Sequence, residues 1–495
     1  MSLIQVSDLS FSYEDSYDLI FEHVSFQIDT DWKLGFTGRN GRGKTTFLNL
    51  LQGKYEYSGT ITSGTVFDYF PFPVDDPSKD GIDLICGLPQ EIPIWQVLKE
   101  FDKLGLEDEV LYRPFNTLSN GERTKVMLAA LFSRENHFLL IDEPTNHLDL
   151  EARQLVSRYL NSKKGFLLVS HDRVFLDSCV DHILSINKTD IEVQKGNFSS
   201  WYQNKVMRDE FELQENERLK KDISRLAASA KRTKVWGDQV ESTKIGRKSR
   251  EINENMPNRA YIGEKSRRMQ QRRKNLEQRQ ERALEEKTGL LKNVEQVENL
   301  RIEPLIYHKK RMVSAENLSI RYGDREVCSS IDFSVECGER VSLQGKNGCG
   351  KSSVLKLILG EPVSYGGRLE VGSGLKISYV SQDTSFLKGG LKDYAAQWGI
   401  DESLFKAILR KLDFSRAQFE KRMESFSEGQ KKKVLIARSL CEKAHLYIWD
   451  EPLNFIDIYS RMQIEELLLK WKPSLLFVEH DAAFTERIAT KIIQM

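Results

Sequence analysis

Two short glycine-rich runs stand out as places where the chain could handle phosphate: GRNGRGKT, residues 38–45, and GKNGCGKS, residues 345–352. Both satisfy G-x-x-x-x-G-K-[ST], the pattern of a loop whose backbone N–H groups curl around phosphate oxygens at the start of a helix. In the first run Gly38, Gly41 and Gly43 give the turn its freedom and Asn40 lies between them. Gly345, Gly348 and Gly350 do the same around Asn347 in the second. Lys44 and Lys351 are expected on the β- and γ-phosphates, Thr45 and Ser352 on Mg²⁺, with Thr46 and Ser353 following directly. Two acidic pairs complete the hydrolytic inventory. Asp142-Glu143 and Asp450-Glu451 each close an apolar run and precede a proline. The aspartate suits a metal, and the glutamate suits a general base for the attacking water. An Asp-Glu pair at a strand exit also serves as an ordinary helix-capping pair, so its recurrence carries the functional reading. His171 and His480 end further apolar runs, within reach of a γ-phosphate.

These groups recur in order and nearly in register. Lys44 and Lys351 are 307 residues apart, Glu143 and Glu451 308, His171 and His480 309. LSNGE (118–122) likewise returns as FSEGQ (426–430). Four motifs that keep their order and spacing mean a duplicated domain. The elements that must carry them read as α/β. Residues 33–37 and 340–344 are short strands running into the glycine turns, and KTTFLNLL and KSSVLKLIL are helices with apolar residues at helical spacing. HFLLID, HLYIWD, GFLLVS and SLLFVE are continuously apolar, as strands buried on both faces of a mostly parallel sheet must be.

The remaining hundred residues differ. We divide the chain of 495 residues into a first domain over 1–198, an interdomain segment over 199–300 and a second domain over 301–495. In the middle segment Leu219, Ile223, Leu226 and Ala230 repeat helically, and Met269, Leu276, Ala283, Leu290 and Val297 fall seven apart. This pattern predicts an antiparallel two-helix coiled coil with a tip loop at about 236–263, where Gly237, Gly246, Pro257 and Gly263 interrupt it. Each arm of about 35 residues would extend on the order of 50 Å. From Arg218 to Arg282 there are 20 Lys/Arg against 8 Asp/Glu, although the whole chain is formally neutral. A charge run of this kind can merely solubilise; with Trp236 and Tyr261 near the tip it also suits phosphate-rich RNA.

Composition excludes several classes. No apolar run approaches the length of a membrane-spanning helix, and the N-terminus does not read as a secretory signal. The six cysteines form no C-x-x-C pair, which argues against a structural metal and suits a reducing cytoplasm. The chain reads as ending just past the second domain, without a C-terminal extension.

The glycine loops, LSNGE and FSEGQ, D-E-P-x-N and the following histidine together resemble the ATP-binding-cassette family, and every motif occurs twice. The resemblance implies two nucleotide-binding domains sandwiching two ATP molecules head to tail within one monomer. Site one would join the first glycine loop, Asp142, Glu143 and His171 with Ser427 and Gly429 of the second half. Site two would join the second loop, Gln382, Asp450, Glu451 and His480 with Ser119 and Gly121 of the first. Tyr13 and Tyr322 match the family's adenine-stacking aromatic, and Gln382 its Mg²⁺-contacting glutamine. Phe72 occupies that glutamine's place in the first half, so equal turnover at the two sites is not expected. The basic segment is similar to the linker of the family's F branch. That implies a cytoplasmic ATPase that binds the bacterial ribosome at the tRNA exit site, its linker reaching ribosomal RNA and the P-site tRNA. WDEPLNF and RAYIGEKSRRMQQRRK look most like antibiotic-resistance proteins of the Lsa/Vga type, which implies protection against lincosamides, pleuromutilins and streptogramin A. A housekeeping translation factor of the same branch, the ATPase pair of a membrane transporter, and a DNA-repair or chromosome-organising ATPase are the alternatives.

Overall fold

The computed structural model describes residues 2–13, 19–87, 92–146, 148–187, 190–245, 271, 274, 301–323 and 325–495. The chain divides into two compact units, one formed by Met1–Trp201 with Glu298–Met495 and the other by Tyr202–Val297.

The first half opens with β1 (Leu3–Phe11), β2 (Phe21–Asp29) and β3 (Lys33–Thr37), followed by α1 (Lys44–Leu51), β4 (Ser58–Thr62) and β5 (Val66–Phe70). A small helical region follows: α2 (Gly81–Cys86), α3 (Ile94–Lys103) and α4 (Asn120–Phe132). The half closes with β6 (His137–Asp142), α5 (Leu150–Asn161), β7 (Phe166–Val169), α6 (Arg173–Cys179), β8 (His182–Asn187) and β9 (Asp190–Lys195). β5-β6-β7-β3-β8-β9 form one sheet, parallel except for β8 with β9. β2-β1-β4 form a separate antiparallel sheet, a layer the sequence reading did not anticipate. Phe47 and Leu48 of α1 are fully buried in the core shared by the two sheets. Burying a side chain of this size contributes about 1.5–3 kcal/mol, so the apolar face of α1 fixes the direction in which its N-terminus points.

The second half repeats this plan. It runs β10 (Arg311–Tyr322), β11 (Arg325–Glu336), β12 (Arg340–Gln344), α8 (Lys351–Ile358), β13 (Ser364–Val371), β14 (Ile377–Val380), α9 (Leu391–Gln397), α10 (Glu402–Lys411) and α11 (Glu428–Cys441). Then come β15 (Leu446–Asp450), α12 (Ile458–Trp471), β16 (Leu475–Val478), α13 (Ala482–Ile488) and β17 (Lys491–Gln494). β14-β15-β16-β12-β17 are all parallel, and β11-β10-β13 form the antiparallel layer. The register aligns the strand ends that matter. Val169 pairs with both Phe36 and Asp142, and Val478 pairs with both Leu343 and Asp450. Each glycine loop, acidic pair and histidine therefore emerges at one carboxyl edge, where ligands bind open α/β sheets.

Between the halves one helix, α7, spans Phe198–Ile245, 48 residues. It runs through Gly237 and ten residues into the stretch read from sequence as the tip loop. A single glycine costs a helix interior only about 1 kcal/mol, too little to stop one this long, so the break expected at 236 is corrected. The second predicted arm, apart from residues 271 and 274, and the rest of the predicted tip loop lie outside the described residues.

Candidate functional site

Each glycine loop ends in a residue that only glycine adopts readily. Gly43 and Gly350, at φ 89° and 99°, are the N-caps of α1 and α8. A Cβ on Gly43 would sit 2.5 Å from Ile20, and one on Gly350 3.0 Å from Val327. The lysines fold back into their own loops. Lys44 Nζ donates to the carbonyls of Gly38 (2.7 Å) and Arg39 (3.2 Å), and Lys351 Nζ to those of Gly345 (2.8 Å) and Lys346 (3.0 Å). Both are buried, and burial lowers the Lys44 pKa. An ammonium held only by neutral carbonyls is ready for anionic oxygens.

Two clefts of about 680 and 670 Å³ open over these loops. The first is lined by Tyr13, Asn40, Gly41, Gly43, Lys44, Thr45, Thr46, Tyr69, Asp142, Glu143 and His171, and across it lie Ser427 and Gly429 of the other half. The second is lined by Asn347, Gly348, Gly350, Lys351, Ser352, Ser353, Gln382, Glu451, Asn454 and His480, faced by Ser119, Asn120 and Gly121. Gly38 and Gly345 stand behind the lysines as acceptors. Asp450 lies beneath its cleft, almost wholly buried. Tyr322 stands at the margin, its hydroxyl donating to Ser353 Oγ (3.1 Å), as the Tyr13 hydroxyl pairs with Thr46 Oγ1 (2.8 Å).

The segments that cross over are helix starts. Ser119 and Ser427 cap α4 and α11, each in a capping box with the side chain three residues on, Glu122 and Gln430. Their helix N-termini thus point into the opposite half's cleft, where the dipole favours anions. Asn40 Nδ2 donates 2.9 Å across the halves to the Phe455 carbonyl, against which Gly429 packs.

The acidic pairs differ between the clefts. Glu143 and Glu451 both sit at positive φ, 52° and 46°, each with its N–H bonded to the neighbouring strand. Holding a non-glycine residue there costs of order 1–3 kcal/mol, a strain that surrounding contacts must sustain. In the second cleft Glu451 Oε2 accepts from Gln382 Nε2 (2.8 Å) and Asn454 Nδ2 (2.6 Å), and His480 Nε2 is 3.5 Å from Oε1. Burial works to raise its pKa, but His480, Lys432 and Gln382 together bring it below the ordinary value. In the first cleft Phe72 offers no amide. Glu143 Oε1 is buried without a hydrogen bond, with His171 Nε2 3.4 Å away. Burial and the Asp142 charge push Glu143 up to about 8, while burial and Lys44 hold the His171 pKa well below its usual value. Asp142 Oδ2 receives the Tyr69 hydroxyl (2.8 Å) and Thr45 Oγ1 (3.4 Å). Asp450 Oδ1 is buried with no partner, and burial raises that carboxyl to about 6. An orphaned carboxylate oxygen next to a P-loop hydroxyl fits a hard cation; the second cleft supplies it, while in the first Asp142 and Thr45 offer the same donor types with Asp142 Oδ2 already hydrogen-bonded.

The ABC transporter family matches residues 21–146 and 328–454, half of the chain in two repeats. The chain belongs to the ATP-binding-cassette family. Its cassettes make it an ATPase. Among curated relatives, the ribosome protection protein VmlR of Bacillus subtilis is 28% identical over 486 residues, covering 96% of this chain and 84% of VmlR. The ATP-binding protein Uup of Caulobacter vibrioides is 28% identical over 497 residues, covering 96% and 74%. Similarity to such proteins along almost the whole chain accords with the F branch of the cassette family. Among solved structures, the complex of the archaeal ribosomal stalk protein aP1 with the archaeal ribosome recycling factor aABCE1 matches with a TM-score of 0.60 at 19% identity, over 98% of this chain and 87% of that one. At that identity the likeness concerns the fold. No described helix is long and apolar enough to cross a membrane.

Sequence reasoning missed Asn454, although it stands in the D-E-P-x-N motif, and Tyr69, which reads as an ordinary strand aromatic. Neither spacing nor type signals that their polar tips meet the carboxylates.

Proposed function

We propose that this chain is a ribosome-associated cassette ATPase whose halves, 1–198 and 301–495, close on two ATP molecules and so set the orientation of the basic segment 199–300. The observation that carries the reading is the composition of the clefts: each combines one half's lysine and glutamate with the other half's capped helix start. ATP bridging both surfaces would act as a clamp, and its loss would release it.

In each site the lysine and loop amides hold the β- and γ-phosphates, and Tyr13 or Tyr322 packs against adenine. Thr45 and Asp142, and Ser352, Gln382 and Asp450, would hold Mg²⁺, which when bound neutralises phosphate charge. Glu451, or Glu143 once ionised, accepts a proton from the attacking water as the β–γ bridging bond breaks, leaving ADP and phosphate. His171 and His480 fix the glutamate and meet the γ-phosphate. With Gln382 and Asn454 orienting Glu451, site two is the better prepared for turnover.

Ribosome association draws support from VmlR's being a ribosome protection protein and from the excess of 20 Lys/Arg over 8 Asp/Glu between Arg218 and Arg282. Within that reading we place the chain at the tRNA exit site of the bacterial ribosome, protecting it from lincosamides, pleuromutilins and streptogramin A. The test is co-sedimentation of the Glu143→Gln/Glu451→Gln protein with 70S ribosomes. ATP-dependent pelleting is expected; ATP binding without pelleting would overturn the ribosomal assignment.

A further inference from the structure

The second half buries a charged pair that the first half lacks. Lys432, on α11, is 2% exposed, yet its ammonium donates to the carbonyl of Ser381 (3.0 Å) and to that of Glu451 (3.0 Å). Ser381 immediately precedes Gln382, so one side chain ties the backbone of the glutamine loop to that of the glutamate it bonds. Glu479, at the end of β16 and 6% exposed, supplies the opposite charge that favours the ionised lysine. Its Oε1 accepts from the Leu453 amide (2.7 Å) and its Oε2 from the His480 amide (3.1 Å). Between them the two residues grip the backbone of the four segments that bear on Glu451: Gln382, Glu451 itself, the 452–454 turn carrying Asn454, and His480. The repeat places Thr124 and Ser170 at the corresponding positions of the first half. There Ser170 shares a neutral contact with Thr145 (3.3 Å), and the cations that act on Glu143 are Arg461 of the second half and Lys44 of its own loop.

We propose that Lys432 and Glu479 are positioning residues for hydrolysis at site two and the reason that site turns over faster than site one. Neither lines the cleft, so they act on the geometry of the base and its partners rather than on nucleotide. Glu451 stands in a sparsely populated backbone conformation, and a buried ammonium on its carbonyl limits the alternatives open to it. Removing the ammonium leaves two part-buried carbonyls without its bonds at once and loosens Gln382 and Glu451 together. The proposal rests on the paired-site reading above.

The test isolates each site in the full chain. In the Glu143→Gln background only site two turns over; there Lys432→Met is expected to lower kcat at least tenfold while KM for ATP stays within about threefold. Lys432→Gln, which keeps an N–H donor, is expected to restore part of that loss. In the Glu451→Gln background, where only site one turns over, Lys432→Met is expected to change kcat less than twofold. Should Lys432→Met fold poorly, Glu479→Gln, which keeps one acceptor and loses the charge, carries the same kcat-selective expectation. Equal losses at both sites, or a rise in KM at constant kcat, would overturn the proposal. If Glu143→Gln and Glu451→Gln together leave wild-type turnover intact, the paired-site reading itself fails instead.

Discussion

Gly429 and Gly121 occupy equivalent positions in the two helix starts that face the clefts, and the structure sets them apart. A methyl group on Gly429 would lie 2.3 Å from the Phe455 carbonyl oxygen and 3.2 Å from Asn40 Nδ2. The same group on Gly121 meets nothing nearer than Leu148 Cδ2, at 3.7 Å. In Gly429→Ala the Phe455 carbonyl must therefore move by about 1 Å, an overpacking cost of about 1–3 kcal/mol. That carbonyl accepts the Asn40 bond linking the halves at site one, so the cost falls on closure of that site. Converted at 1.4 kcal/mol per tenfold, ATP affinity at site one falls about five- to 140-fold. Gly121→Ala has room, and alanine is the better helix former by about 0.8–1 kcal/mol, so site two should change less than twofold. Titrating a fluorescent ATP analogue into each variant in the Glu143→Gln/Glu451→Gln background reads both sites as separate phases. Equal effects of the two substitutions, or a larger loss for Gly121→Ala, would refute the packing argument.

Two further outcomes follow from the buried and unburied charges. Lys433 and Asp457 pair at 2.8 Å with side chains 4% and 0% exposed, and Asp457 also caps α12 through the Ser460 amide. Asp457→Asn keeps the cap and strands the lysine, which should cost about 3–5 kcal/mol in denaturant unfolding. Burial acts to raise the Asp457 pKa, but Lys433 and the Ser460 amide outweigh it and hold it far below the usual range. The pair's contribution is therefore whole above the unfolded value of about 4 and lost as pH falls further, so the gap between wild type and variant should narrow only below about pH 4; a gap unchanged down to pH 2 would contradict this. Replacing Arg267, Arg268, Arg272 and Arg273 by glutamine should weaken ribosome binding and flatten its dependence on salt, by about 0.7–0.9 per lost phosphate contact in log–log slope; an unchanged slope would remove the basic segment from the interface.

Much of this was legible in the sequence because the chain states it twice. The strands before Gly38 and Gly345 run straight into glycine turns, those ending at Asp142 and Asp450 are short apolar runs closed by motif acids, and the structure places them as read. Phe72 in place of a glutamine signalled an unequal pair, since a lost hydrogen-bond donor is visible as a residue type. What stayed hidden depends on tertiary contact. Lys432 stands in the run KKK, which residue type alone does not single out, and the helix period turns Lys432 and Lys433 inward while Lys431 stays half-buried. Gly237 reads as a stop, because local propensity does not register the 48-residue helix through which it runs. The antiparallel layers were missed because strands β1 and β10 alternate only loosely, with register shifts along their pairings.

The central claim is that each ATP site is built from both halves, and Ser427→Glu tests it most directly. The substitution sets a negative charge at the start of α11, across the cleft from Lys44 and more than 380 residues away in sequence. With the Glu143→Gln/Glu451→Gln protein and a photoreactive ATP analogue, the account predicts that labelling disappears from peptides around Tyr13 and persists around Tyr322. Loss of label around Tyr322 with label kept around Tyr13 would mean that each half binds its nucleotide alone, and would contradict the account.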